Sequence, residues 1–319
     1  MRKPLPGLLM LWVIAAPLLP LFVAVANSAP SPAKTERLSS KNSLLPAEPG
    51  AWMIDIDTRG GYMGLGVGGV RITSQGDVEI TKNLSLLKCR TLVPTADLRP
   101  VEEAVSSATP SQWARSYPDE VPLEPISWSL ALHRRERDGS DHIDRTSGGS
   151  VGVPKDLSEV RRTAGEIWNT VRNGCLVRQA LKEIAGGRGD LTPLVVTYDD
   201  LHGLHGGLRL TIHGNGEVEQ QAERQPVGAT RAVSREDLIK LAALLVKHAA
   251  WEQLVPERMA VPDESRATLT VTYGPHSVQI WEWYNDLENN KRIGDIATFM
   301  KRMAAPSESK SVAPQLINS

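Results

Sequence analysis

Positions 194–198 (Leu-Val-Val-Thr-Tyr) form a β-branched run, and from Gly207 to Thr211 apolar and polar side chains alternate. A period of two marks a strand with one buried face. Asn215 and Gly216 follow, and both tolerate the positive φ of a tight turn, so the pattern predicts a hairpin. The period then changes. Leu238, Ile239, Leu241, Ala242, Leu245 and His248 recur at helical spacing behind Ser234, an N-cap with Asp237 three positions on. Positions 269–273 and 278–283 read as a second hairpin around Gly274-Pro275. Ile293, Ile296, Met300 and Met303 mark a last helix.

The same order occurs earlier in the chain. Gly68-Gly69-Val70-Arg71-Ile72-Thr73 returns as Gly206-Gly207-Leu208-Arg209-Leu210-Thr211, 138 positions later. A turn follows each copy, Gln75-Gly76-Asp77 and Gly214-Asn215-Gly216, and then Val78-Glu79-Ile80 and Val218-Glu219. Trp113 precedes Tyr117-Pro118 as Trp251 precedes Val255-Pro256, again 138 apart. Strand-like runs (126–133 and 267–273) and helical segments (156–174 and 290–303) complete both copies. Internal repetition is the first thing to extract from a sequence, because each repeat is one folding unit. The expected fold class is α+β: two tandem repeats, each an antiparallel sheet with two helices packed on one face. In the first repeat, the polar stretch from Arg134 to Gly152 reads as a surface insertion into the second hairpin.

The expected boundaries are a signal peptide (1–26), a polar leader (27–48), repeat one (50–186), a linker (187–192), repeat two (193–304) and a disordered tail (305–319). Arg2 and Lys3, the apolar run from Leu5 to Ala26 and the small residues Ala24 and Ala26 carry the export reading. An uncleaved membrane anchor is the alternative, weakened by Pro17 and Pro20. Cleavage would leave 34 basic and 37 acidic groups. A joint of composition Gly186-Gly187-Arg188-Gly189-Asp190 reads as flexible, and the tail has too few apolar residues to offset its ordering entropy.

In the whole chain of 319 residues, 36 basic groups oppose 37 acidic ones, and 41% of positions are hydrophobic. That balance describes an ordinary globular protein and argues against nucleic acid as a partner, since phosphate binding needs concentrated positive charge. Cys89 and Cys175 are the two cysteines. In an exported chain a disulfide between them is the expected fate, closing a loop of roughly 85 residues, and their distant spacing does not suit a zinc site.

No catalytic signature stands out. Gly64, Gly66 and Gly69 match G-x-G-x-x-G, but a strand follows where a phosphate-binding helix would be needed. His202, His205 and His213 near Asp199 and Asp200 are better read as solvated loop residues than as metal ligands, and Asp141-His142-Ile143-Asp144 likewise. A metal-dependent hydrolase on His202, His205 and Asp200 is the minor alternative. No Ser, His and Asp stand in a recognisable catalytic frame, and no cofactor is implied. Trp281 and Trp283 put two indoles on one strand face, which reads as core or, alternatively, as a partner surface. The candidate contact residues are these two tryptophans, Tyr62 and Met63 in a glycine-rich loop, and Leu201 and His202 at the matching place in repeat two.

Gly60-Gly61-Tyr62-Met63-Gly64-Leu65, with the alternating strand, capped helix, aromatic-then-proline and final hairpin and helix after it, resembles emfourin-like domains. These are small bacterial inhibitors of the thermolysin-like metalloprotease protealysin. Related domains of unknown function occur in secreted bacterial proteins. The resemblance covers about one repeat at a time and implies a non-enzymatic exported binding protein whose partner is a protein, such as a metalloprotease. A structural or sensory envelope domain, held at the membrane only through an uncleaved 5–26 segment, is the alternative expectation.

Overall fold

The structure, a computed structural model, describes residues 35–38, 45, 48–60, 67–82, 89–118, 127–201, 207–222, 225–254, 258–259 and 261–305. The chain is α+β with two sheets. The first contains β1 (Thr35–Leu38), β2 (Trp52–Arg59), β3 (Gly69–Thr73), β4 (Asp77–Lys82) and β5 (Cys89–Leu92). Helix α1 (Thr95–Ser107) intervenes, and β6 (Ser116–Tyr117), β7 (Ser127–Arg135) and β8 (Asp141–Gly148) complete the sheet before the long helix α2 (Lys155–Ala185). Its order is β1-β8-β7-β2-β3-β4-β5, with β6 on the same side of β8 as β1 and parallel to it.

The second sheet contains β9 (Leu194–Asp199), β10 (Leu208–His213), β11 (Glu217–Ala222) and β12 (Gln225–Ala232), followed by helix α3 (Arg235–Lys247). Then come β13 (Arg266–Tyr273), β14 (His276–Trp283), a short helix α4 (Leu287–Asn290) and helix α5 (Ile293–Ala304). Its order is β12-β11-β10-β9-β13-β14. Six strands of the first sheet, β5-β4-β3-β2-β7-β8, follow each other in that same order.

Alternation decides which faces are buried. Ile54, Ile56, Leu130, Leu132, Val70 and Ile72 point to one face of the first sheet, where α1 and the first half of α2 cover them. Val196, Tyr198, Leu210, Ile212, Leu269 and Val271 do the same in the second, under α3, α5 and the last turns of α2. One helix therefore serves both cores: Leu157, Val160 and Ala164 belong to the first, and Val177, Leu181 and Ile184 to the second. Ser234 caps α3 as its sequence predicts, accepting from the Asp237 N–H at 3.1 Å.

Four expectations need correction. The sheets are larger than the pattern suggests, because β1 (within the expected polar leader), β5, β6 and β12 add strands that it does not signal. β12 carries Pro226 and Gly228, which suppress a strand signal but are tolerated at the sheet edge this strand forms. The supposed polar insertion is the hairpin itself, β7 running into β8. Its Asp141 and Asp144 are buried because cross-strand partners meet them, Arg135 to Asp141 at 2.8 Å and Arg134 to Asp144 at 3.0 Å. The helical segment read as 156–174 runs on to Ala185. The glycine-rich joint is a tight helix cap rather than a flexible linker. Gly187 donates to Ile184, while Arg188 and Gly189 both donate to Glu183, and Gly189 lies so close to Ile184 that a Cβ there would sit 2.6 Å away.

Two turn glycines carry equivalent loads 140 positions apart. Gly76 has φ +87°, and its carbonyl accepts from the Val93 N–H at 2.8 Å. Gly216 has φ +93°, and its carbonyl accepts from the Val233 N–H at 2.7 Å. A Cβ would fall 2.1 Å from the Val93 carbonyl oxygen at Gly76, and 2.7 Å from that of Val233 at Gly216. Gly76→Ala is expected to destabilise by about 2 kcal/mol or more, combining the left-handed backbone penalty with a displaced main chain. A urea midpoint unchanged from wild type would refute it.

Candidate binding site

The candidate residues named from the sequence do not gather at one place. Tyr62, Met63, His202 and His205 lie outside the described residues. Leu201 is half-buried, with its N–H donated to Asp199 Oδ1 at 3.0 Å. Asp199 and Asp200 face opposite sides of the second sheet. Asp199 pairs with Arg209 at 2.6 Å on the face away from the helices. Asp200 is 5% exposed, accepts from the Tyr198 hydroxyl at 2.7 Å and lies 3.5 Å from Lys301 Nζ. Burial, with the Asp200 carboxylate beside it, pushes the Tyr198 phenol far above its usual range. His213 sits 3.1 Å from Glu219 on the open face, away from Asp200. Among the described residues no three His, Cys, Asp or Glu side chains converge as metal ligands would.

Trp281 and Trp283 lie on the face of β14 opposite the core residues Ile280 and Glu282. Their rings meet edge-on at 5.0 Å, and the Arg266 guanidinium stacks 4.0 Å from one and 4.9 Å from the other. They are neither core nor bare surface.

The arrangement with the clearest shape lies at the waist between the sheets, where a cavity of about 310 Å³ opens. Cys89 and Cys175 are disulfide-bonded, with Cα atoms 6.0 Å apart, and tie β5 to the middle of α2 at this point. Cys89, Thr91 and Leu92 line one side, and Ser277, Val278 and Gln279 of β14 the other. Val171, Gly174 and Cys175 of α2 lie between them. Thus β5 and β14, the terminal strands of their sheets, border one space. Leu92 is 70% exposed here. Asp97, Glu252 and Arg178 supply the charge, and the Arg178 guanidinium lies 5.4 Å over the Trp251 ring.

Trp251 and Gln253 reach the waist because Arg292 holds their loop. Buried to 6% exposure, Arg292 donates to the carbonyls of His248 (2.8 Å), Ala249 (2.7 Å) and Glu252. The Gln253 carboxamide then bonds the outer edge of β14, accepting from Trp281 N–H at 2.8 Å and donating to Trp281 C=O at 3.0 Å. No charge pattern in the sequence reveals this cavity. The matched tryptophans were the one usable signal: Trp113 is fully buried and donates to Asp156 at 3.0 Å, whereas Trp251 is half-buried and opens onto the waist.

Beyond the Gln253 loop, Arg258 grips Glu264 through two hydrogen bonds of 2.7 and 2.8 Å and Asp286 through one of 3.1 Å. The Arg258 hydrogen bonds, against the opposing effect of burial, hold the Glu264 carboxyl down to about 2. A depressed folded-state value means the stabilisation is present above about pH 4.5 and is lost as pH falls toward about 2. Melting temperatures measured across that window are expected to fall less steeply in Glu264→Gln than in wild type. Parallel slopes would contradict the assignment.

Comparison with protein families, curated proteins and solved structures finds no match to this chain.

Proposed function

We propose that this is a non-enzymatic binding protein of an oxidising, exported compartment, built from two copies of one unit, which holds a protein partner at its waist. The observation that carries this reading is the waist cavity, bordered by two terminal strands and pinned by the disulfide. A disulfide is at home in an oxidising compartment. The shared strand order, the equivalent Gly76 and Gly216 turns, and two 13-residue helices starting 140 positions apart, α1 and α3, support the duplication. Two buried polar side chains are engaged in holding the fold, Asp200 by Tyr198 and Lys301 and Arg292 by three carbonyls. A concave apolar surface with a few convergent polar groups is the default form of a binding site.

Inhibition of a thermolysin-like metalloprotease is the specific form that the sequence resemblance suggests. The decisive experiment places a photo-reactive phenylalanine analogue at Leu92, inside the waist, or at Val151, exposed but outside it. Expression in the native envelope should give a partner adduct from position 92 and none from 151. Equal adducts, or none at 92, would overturn the reading. Titration of a thermolysin-like protease with the purified protein tests the inhibitor form separately, and full activity at a micromolar excess would remove it.

A further inference from the structure

The free edge of β14 has an occupied counterpart within the same molecule. In the shared strand order β8 stands where β14 stands, and the outer side of β8 is covered. β1 pairs antiparallel with it over Asp141–Asp144, and β6 pairs with Ser147 and Gly148. On β14 the Gln253 side chain takes up the Trp281 N–H and C=O. Those bonds establish that Trp281 turns its backbone away from β13, and strand alternation turns Gln279 and Ser277 the same way. Among the described hydrogen bonds none reaches the outward N–H or C=O of these two residues. Both border the waist cavity. An unpaired edge beside an apolar hollow is a template for another strand.

We infer that the waist takes its partner as an extended peptide segment, added as a strand to β14 at Ser277–Gln279 in the way β1 is added to β8. The inference rests on the waist being the binding site and names the form of the bound segment. Strand alternation would send one set of peptide side chains toward Val171, Gly174 and the disulfide, which favours small or medium apolar residues there. Asp97 and Glu252 line the same hollow, with Arg178 drawn toward Trp251, so basic residues are favoured beside them. The partner chemistry is therefore an extended segment combining aliphatic and basic residues.

The test uses the full oxidised protein and a fluorescent ten-residue peptide alternating Val and Lys, read by anisotropy. Saturable binding is expected, with slower amide hydrogen exchange at Ser277 and Gln279. A peptide N-methylated at every second residue, made in both registers, removes backbone donors without touching the protein. One of the two registers should bind at least about tenfold more weakly, the loss of two backbone hydrogen bonds. Gln279→Pro deletes the outward N–H while sparing the ladder to β13 and should weaken binding by a similar factor. Gly174→Leu should do so by filling the hollow, since a Cβ at Gly174 meets Trp251 and Val278 only at 3.7 Å. Absent binding of the Val-Lys peptide, equal binding of both N-methylated registers, or unchanged exchange at Ser277 and Gln279 would each overturn the inference. If Gln279→Pro keeps its fold and its partner adduct at position 92, strand addition falls while the waist reading stands. Loss of the adduct already in the wild-type background sinks the waist reading itself.

Discussion

Replacing Cys89 and Cys175 by Ser together is expected to lower stability by about 4–5 kcal/mol, the chain-entropy value for a loop of this length. The bond joins positions 86 apart, so its removal frees most of the first unit in the unfolded ensemble. A second effect acts in the same direction. The bond holds β5, the last strand of its sheet, against α2, and among the described strands β5 has a partner on one side only, β4. Without it the β5 side of the waist loses its tether. Denaturation in guanidinium with and without reductant measures the loss, and the double variant should match the reduced wild type. Equal midpoints in oxidised and reduced protein would show that the bond contributes nothing. Peptide binding at the waist should weaken in the reduced protein well before unfolding begins.

The second large effect concerns α2, which belongs to both cores. Gln179 lies on its exposed side between Cys175, which packs into the first core, and Leu181, which packs into the second. Gln179→Pro removes one intrahelical hydrogen bond and drives the ring into the preceding turn, at a cost of about 3 kcal/mol or more. Gln179→Ala at the same exposed position should stay within about 0.5 kcal/mol of wild type. The proline is expected to do more than lower the midpoint. Val177, Leu181 and Ile184 are completely or almost completely buried in the second core, and a break there uncouples them from the first. Hydrogen exchange should then report two transitions, with β9 and β10 opening before β2 and β3. A single coincident transition in the proline variant would mean that the helix does not couple the units.

Sequence reasoning succeeded where local pattern and tertiary environment agree. The Ser234 cap, the stripe of α3 and the β13–β14 hairpin were legible because each depends on residues close in the chain. It failed at β8, where Asp141 and Asp144 look like loop residues until β7 brings arginines beside them. It failed again at the helix joining the units, since glycine-rich composition says nothing about whether a turn packs against Ile184. The binding-site candidates show the same divide. Trp281 and Trp283 stand out as a pair in the sequence, but the arginine stacked on both comes from β13, and the cavity beside Trp281 is built by β5, α1, α2, the 251–253 loop and β14.

By itself, then, the sequence determined the class of the chain: its periodicities decide strands from helices, its caps and glycines decide where they stop, and its spacing decides that two similar stretches follow one another. Those are short-range properties, written in neighbouring side chains. Only the tertiary structure decided that two terminal strands border one hollow, that a disulfide and a shared helix secure it, and that β14, among the described residues, has unpaired backbone where β8 is covered. These are long-range meetings, created by how sheets close against helices, and no window of sequence contains them.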